Sequence, residues 1–198
     1  VGKEAGRAVE SARAMEADAD ENPEQRGELL LEAAELWRQA GEHDRAVEVL
    51  GRVIAMGGEE GGHARVALAE ALFDVDQVED GRAQLDALRR EEPSSAAPYH
   101  SAAELLEERG EQHDALTWFD LAVARLSEQE LAERDHGSLS YANQVLVGRR
   151  RVRQALGLPP DELDDSLSGP GPRRHAADNV VDLARARSQR ARRPENRG

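Results

Sequence analysis

Carboxylates are the most abundant side chains able to do chemistry in this sequence, with 40 Asp and Glu among 198 residues. Two of them one helical turn apart are the raw material of general acid and base catalysis, because neighbouring carboxyls can be driven to different pKa values. In so acidic a chain such pairs arise throughout, so spacing alone does not select a glycosidase or any other acid–base enzyme. The histidines are His43, His63, His100, His113, His136 and His175. They do not fall at metal-ligand spacing, and no H-E-x-x-H or comparable cluster is present. The absence of cysteine excludes a thiolate nucleophile, a disulfide framework and Cys-ligated metal, while leaving the redox compartment open. No G-x-S-x-G, P-loop or G-x-G-x-x-G fingerprint occurs, and the GPGP run from Gly169 to Pro172 puts proline where a phosphate cradle needs donors. Neither a metal nor a cofactor is expected, and the chain reads as a non-enzyme.

Charge is the second chemical resource, and it is unevenly placed. The formal net charge is -14, but residues 1–130 hold 31 acidic and 13 basic side chains while residues 131–198 hold 9 and 13. The body therefore repels phosphate and favours basic partners. Beyond residue 170 the balance reverses, with arginines from Arg173 to Arg197 forming a basic arm. The opening residues lack the basic-then-apolar pattern of a secretory leader, and no window approaches the roughly 20 apolar residues of a membrane span. A soluble, cytoplasmic protein is the expectation.

The elements that must position these groups are visible as an internal repeat. GEHDRA at Gly41–Ala46 returns as GEQHDA at Gly110–Ala115, 69 residues later, and DQVEDG at Asp76–Gly81 stands midway in register. Three units follow, at 27–60, 62–95 and 96–129. Small residues recur at the eighth position (Ala34, Ala69, Ala103), large ones at the eleventh (Trp37, Leu72, Leu106), and Ala46, Gly81 and Ala115 share the twentieth. Leu50, Leu85 and Phe119 share the twenty-fourth and Val53, Leu88 and Ala122 the twenty-seventh, with Pro93 near the end of the middle unit. On these residues the sequence resembles the tetratricopeptide repeat family, a 34-residue helix–turn–helix unit, over about half the chain. The departures are Asp76 in place of the turn glycine, Gly81 in place of alanine, and Gly58 and Ser127 in place of proline. The stretch GRRRVRQALGLPPDELD after the third unit is similar to one found in actinobacterial tetratricopeptide proteins of unassigned function. Some of those carry a Cys-rich metal motif that this chain lacks.

The periodicity supports helix hairpins without the family. Leu30, Ala33, Ala34 and Trp37 form one stripe of a first helix over about 27–39, Gly41 ends it, and Ala46, Val49, Leu50 and Val53 face inward on a second over about 44–56. One hairpin cannot bury both stripes, so stacking must supply the missing surface. The fold class expected is all-α, a tetratricopeptide-like helical-hairpin solenoid of about three repeats plus capping helices. A leading cap is placed at 3–18, with Ala8, Ala12 and Met15 inward, and a trailing cap at 139–156, with the stripe Tyr141, Val145, Gly148, Val152 and Ala155. Gly157 to Asp165 stops that helix. The repeat domain spans 1–165, followed by a linker and flexible arm over 166–198 that carries a short helix near 177–189. The exposed end of the trailing cap, through Val145 and Gly148, offers a route to dimerisation. Phe73, Tyr99, Trp118 and Phe119 are read as core, and His43 and His113 as turn residues.

The resemblance also implies a site. In a tetratricopeptide stack the first helices line a concave face, where ninth-position residues lie one above another; here these are Glu35, Glu70 and Glu104. Arg38, Asp74, Glu107 and Glu108 flank them, and Leu31, Val66 and His100 occupy the fifth position, with Tyr99 as a further apolar contact. The Lys and Asn clamp by which some relatives grip a peptide carboxylate is absent. Two readings stand. The glutamates solvate exposed helix faces, or the groove selects a basic protein or peptide segment, including residues 173–193 of the chain's own arm. Two other classes remain as alternatives: a nucleic-acid-associated protein that touches phosphate through the arm, and an enzyme using groove carboxylates as acid and base.

Overall fold

Hydrophobic periodicity near 3.6 runs through most of the chain, and the computed structural model, which describes residues 2–133 and 140–167, is correspondingly all helical among the described residues. The elements are α1 (Gly2–Glu21), α2 (Arg26–Gln39), α3 (His43–Met56), α4 (Gly58–Asp74) and α5 (Val78–Glu91). They continue as α6 (Ala97–Glu108), α7 (Gln112–Val123), α8 (Glu128–Glu133), α9 (Tyr141–Ala155) and α10 (Glu162–Leu167). Helices α2 and α3, α4 and α5, and α6 and α7 pair as hairpins, α4 packs against both α2 and α6, and the stack is a helical solenoid. Helix α1 covers the outer side of α2, and α9 covers α7 at the other end, so both exposed apolar faces are capped.

Each hairpin turns in the same way. After α2, the Gly41 amide donates to Arg38 O at 2.9 Å and the Glu42 amide to Trp37 O at 2.9 Å, a Schellman arrangement with φ +81° at Gly41. The pattern repeats at Gly110, where φ is +79° and Glu111 donates to Leu106 O at 2.8 Å. Asp76 does the same work without being glycine: its φ is +62°, and Gln77 donates to Leu72 O at 2.9 Å. An Asp side chain tolerates the left-handed region better than most, which is how the middle unit keeps its turn. Gly81 has a packing reason. A Cβ built there would lie 2.5 Å from Cε1 of Phe73, so the ring of Phe73 occupies the space that alanine fills in the other units. Gly148 in α9 meets the ring of Phe119 equally closely, at 2.6 Å.

The core forms two clusters. Ala12, Ala19, Leu30, Trp37, Val49, Leu50 and Val53 join Ala64, Leu68 and Leu72 of α4 in the first. Val66, Ala69 and Phe73 of the same helix join Leu85, Leu88, Tyr99, Leu106, Trp118, Phe119, Val145 and Val152 in the second. Each fully buried aliphatic side chain contributes about 1.5–3 kcal/mol. The inward stripes expected for the first hairpin are all buried, and the four aromatics assigned to the core lie in it. In α1, Ala12 is buried whereas Ala8 and Met15 are half-buried.

Several expectations are corrected. Helix α4 begins at Gly58, a full turn before the expected start at 62, and α10 occupies 162–167, where only a stop and the start of a linker were expected. Ala155 is exposed, and the inward face of α9 instead includes Ala142 and Leu146. Val145 and Gly148 are buried within the chain, facing α7, so they do not form a free face for dimerisation. The arm, with the helix expected near 177–189, lies outside the described residues.

Candidate functional site

The first helices of the hairpins, α2, α4 and α6, lie side by side and leave an open groove of about 560 Å³ along their exposed edges. Leu31, Val66, Ala67 and Leu105 supply apolar surface in it, Glu70, Glu104 and Glu108 supply charge, and His63 and Ser101 complete the lining. Five of the expected groove residues, Leu31, Val66, Glu70, Glu104 and Glu108, therefore share one concavity.

Glu35, Arg38 and Asp74, also expected in the groove, lie outside that lining and form a cluster against Glu70 at its α2 side. At the α2 end, Arg38 donates to both oxygens of Glu35, at 2.8 and 3.0 Å, and to Oδ2 of Asp74 at 3.0 Å, with Glu70 Oε1 3.4 Å away. Gln39 adds a bond to Glu35 at 2.9 Å. Burial opposes ionisation of Glu35, but the bonds from Arg38 and Gln39 outweigh it and hold its pKa low. Glu70 responds in the opposite sense: burial raises its pKa, Arg38 only partly offsets this, and the carboxylates of Glu35, Asp74 and Glu108 add to the rise. At the α6 end, Glu104 has His100 Nε2 at 3.5 Å, and among the described residues no ion pair reaches Glu108.

Three expected contacts are not available to a ligand. His100 is 8% exposed and points under α9, 5.7 Å from the ring of Phe119 and 5.6 Å from that of Tyr141. Its pKa is lowered by burial first, with Glu104 acting against the shift and Arg151 with it. Glu107 accepts two 2.6 Å bonds from Arg151 of α9. Tyr99 is 1% exposed and stacks near Trp118. The cause is common to His100 and Glu107: α9 lies along one flank of the third hairpin, so the groove wall of α6 is made by Ser101, Glu104, Leu105 and Glu108 instead. The periodic pattern of α6 alone does not show which flank a capping helix will cover.

A second polar assembly was not anticipated as a site. Arg149 of α9, only 6% exposed, donates to Asp120 of α7 at 2.6 Å and to both oxygens of Asp161 at 3.1 and 2.7 Å. Arg153, one turn on, donates to Asp164 at 3.0 Å and to Pro159 O at 2.6 Å. Asp164 is 4% exposed. Asp161 also starts α10, accepting from the amides of Leu163 and Asp164 at 3.1 Å each, while Asp164 accepts from the Asp161 amide at 3.2 Å, a reciprocal capping box. Chiefly through the bonds from Arg149, Asp161 is held at about 2. The turn through Gly157, at φ +69°, and two prolines folds the acidic segment back onto the arginines. The chain thus contains an intramolecular interaction between a basic, Arg-rich segment near its C-terminal end and an acidic cluster. This contact is made by residues not picked from the sequence, while the arm expected to meet the groove, 173–193, lies outside the described residues. Arginines at 149 and 153, followed by Asp-x-x-Asp after a Gly-Leu-Pro-Pro turn, were the available signal.

At the other end, Glu16 of α1 accepts from Trp37 Nε1 at 2.8 Å, from Arg52 at 2.6 Å and from Arg45 at 3.1 Å, and this fastens the leading cap to the first hairpin. Among the described residues there is no group of three or more metal-ligating side chains, and no helix is long and apolar enough to cross a membrane. No family model, characterised protein or solved structure matches the chain.

Proposed function

We propose that the chain is a non-enzymatic protein-interaction module, built from three hairpin units of the tetratricopeptide type at 27–60, 62–95 and 96–129, whose groove takes a basic segment of a partner or of its own arm. The observation that carries this reading is the groove itself: an apolar floor of Leu31, Val66, Ala67 and Leu105 beside Glu70, Glu104 and Glu108. Apolar contact with flanking carboxylates suits an extended cationic peptide, with charge setting specificity and on-rate. The openness of the channel supports binding over acid–base catalysis, which needs an enclosed site able to exclude water. The Arg149 and Arg153 assembly supports the same principle within the chain, since arginines of this protein already dock on its carboxylates.

Because the chain has no cysteine, a nitroxide on Ser188→Cys labels the arm at one place. Docking in cis predicts broadening of the amide signals of Val66, Glu70, Leu105 and Glu108 at about 0.01 M salt and its loss near 1 M, where screening shortens to about 3 Å. A partner segment predicts instead that an oligoarginine peptide added in trans shifts the same signals. Groove signals that respond to neither at low salt would overturn the proposal.

A further inference from the structure

Helix α5 pairs with α4 and α7 with α6, and between the second helices of these two hairpins a cavity of about 200 Å³ remains that shares no residue with the groove. Its floor is deeply buried: Leu85 is 4% exposed, Leu106 1% and Trp118 beside them 7%. The indole N–H of Trp118 has no acceptor among the described residues, whereas that of Trp37 donates to Glu16 at 2.8 Å. A tryptophan so deeply buried ordinarily finds a partner for its N–H. Two polar groups of the wall are already occupied. Arg82 spans the cleft from α5 to α7, donating to Asp114 at 3.3 Å and to Glu111 at 2.6 Å, and the Thr117 hydroxyl donates to the His113 carbonyl at 3.1 Å. Two charges of opposite sign are left over. Asp86 and Arg89, one turn apart on α5, both line the cavity, and among the described residues no ion pair reaches either.

We propose that this cavity binds a small apolar α-amino acid in its zwitterionic form. The ligand carboxylate accepts from the guanidinium of Arg89 and from the indole N–H of Trp118, its ammonium donates to Asp86, and its side chain rests on Leu85 and Leu106. Each unpaired group of the wall then has one counterpart in the ligand. A carboxylate alone would face the like charge of Asp86, and an amine alone would leave Arg89 and the indole N–H unserved. Size points the same way, since a cavity of about 200 Å³ is smaller than the roughly 300–1,000 Å³ that drug-sized ligands occupy.

The chain has two tryptophans, so a nitrogen-15-labelled full-length sample gives two indole N–H signals, and Trp37→Phe identifies that of Trp118. L-Leucine should move the Trp118 signal downfield in a saturable way and leave that of Trp37, already bonded to Glu16, in place. 4-Methylpentanoate, which lacks the ammonium, and L-leucinamide, which lacks the carboxylate, should each bind about two- to fivefold more weakly. Asp86→Asn should abolish the preference for leucine over 4-methylpentanoate, and Arg89→Gln the preference over leucinamide. No saturable shift of the Trp118 signal up to about 10 mM leucine would overturn the site. Equal binding of all three compounds would overturn recognition of the zwitterion and leave an unselective apolar notch. Tighter binding of 4-methylpentanoate than of leucine would overturn it in favour of a bare carboxylate, such as a peptide C-terminus. Asp86 and Arg89 are exposed, so circular dichroism of both variants should match the parent and exclude misfolding as the cause.

Discussion

Changing Asp161 to asparagine removes one negative charge from the corner between α9 and α10 while keeping a residue that caps a helix about as well. The side-chain oxygen can still accept from the Leu163 and Asp164 amides, so what is lost is the charge facing Arg149 and, at 3.3 Å, Arg153. A carboxyl held at about 2 and not its ordinary 3.8 favours its ionised form in the folded chain by at most about 2.5 kcal/mol. Asp161 is 32% exposed, so solvent screening reduces this to about 1 kcal/mol. The sign follows from a lowered pKa: the stabilisation is complete above the unfolded value and disappears as the pH falls through about 2. Urea denaturation followed by circular dichroism should therefore place D161N about 1 kcal/mol below the parent at pH 7, with the gap closing between about pH 4 and pH 2. Hydrogen exchange at the Leu163 and Asp164 amides should accelerate in parallel if the corner opens by itself. A penalty of the same size at both pH values would mean that shape and not charge holds the corner. No penalty at pH 7 would refute the ion-pair argument altogether.

Gly81→Ala should lower stability by about 1–3 kcal/mol through the clash with Phe73, and combining it with Phe73→Leu should recover part of the loss in a double-mutant cycle. Asp76→Gly should raise the free energy of unfolding by about 0.5–1 kcal/mol, because glycine occupies φ +62° without the Cβ cost; an unchanged denaturation midpoint would mean that Asp76 carries no strain. Glu70→Gln should raise the denaturation midpoint slightly at pH 7 and leave it unchanged near pH 3, because a raised carboxyl pKa marks a charge the folded state disfavours and protonation relieves. A loss at pH 7 would show that its contact with Arg38 outweighs burial and the neighbouring carboxylates.

The parts of the fold legible in the sequence are those governed by local period. Leu30, Ala33, Ala34 and Trp37 reveal their shared face by spacing alone, and Gly41 and Gly110 mark turns that only a positive φ can make. Asp76 and Gly81 look like defects in the repeat until Phe73 is seen filling the space above Gly81. In the groove, the carboxylates on α4 and α6 were legible because they follow the repeat. Arg38, by contrast, lies among the expected groove residues without revealing that it is shared by Glu35, Glu70 and Asp74. The burial of His100 and the capture of Glu107 depend on where α9 lands, which is a contact across more than 40 residues. The arginine–aspartate corner is local in sequence, yet it needs the Gly-Leu-Pro-Pro reversal to bring its halves together, and charge counting averages it away.

Helix α4 is a wall common to two separate cores, with Leu68 and Leu72 turned one way and Val66 and Phe73 the other. The solenoid is therefore two blocks that share a single rod, and along its exposed edge that rod also carries Glu70. A ligand lying from α2 across α4 to α6 would touch both blocks at once and act as a splint. It would hold their relative pitch fixed, so occupancy of the groove and stiffness of the whole array are the same variable seen from two sides.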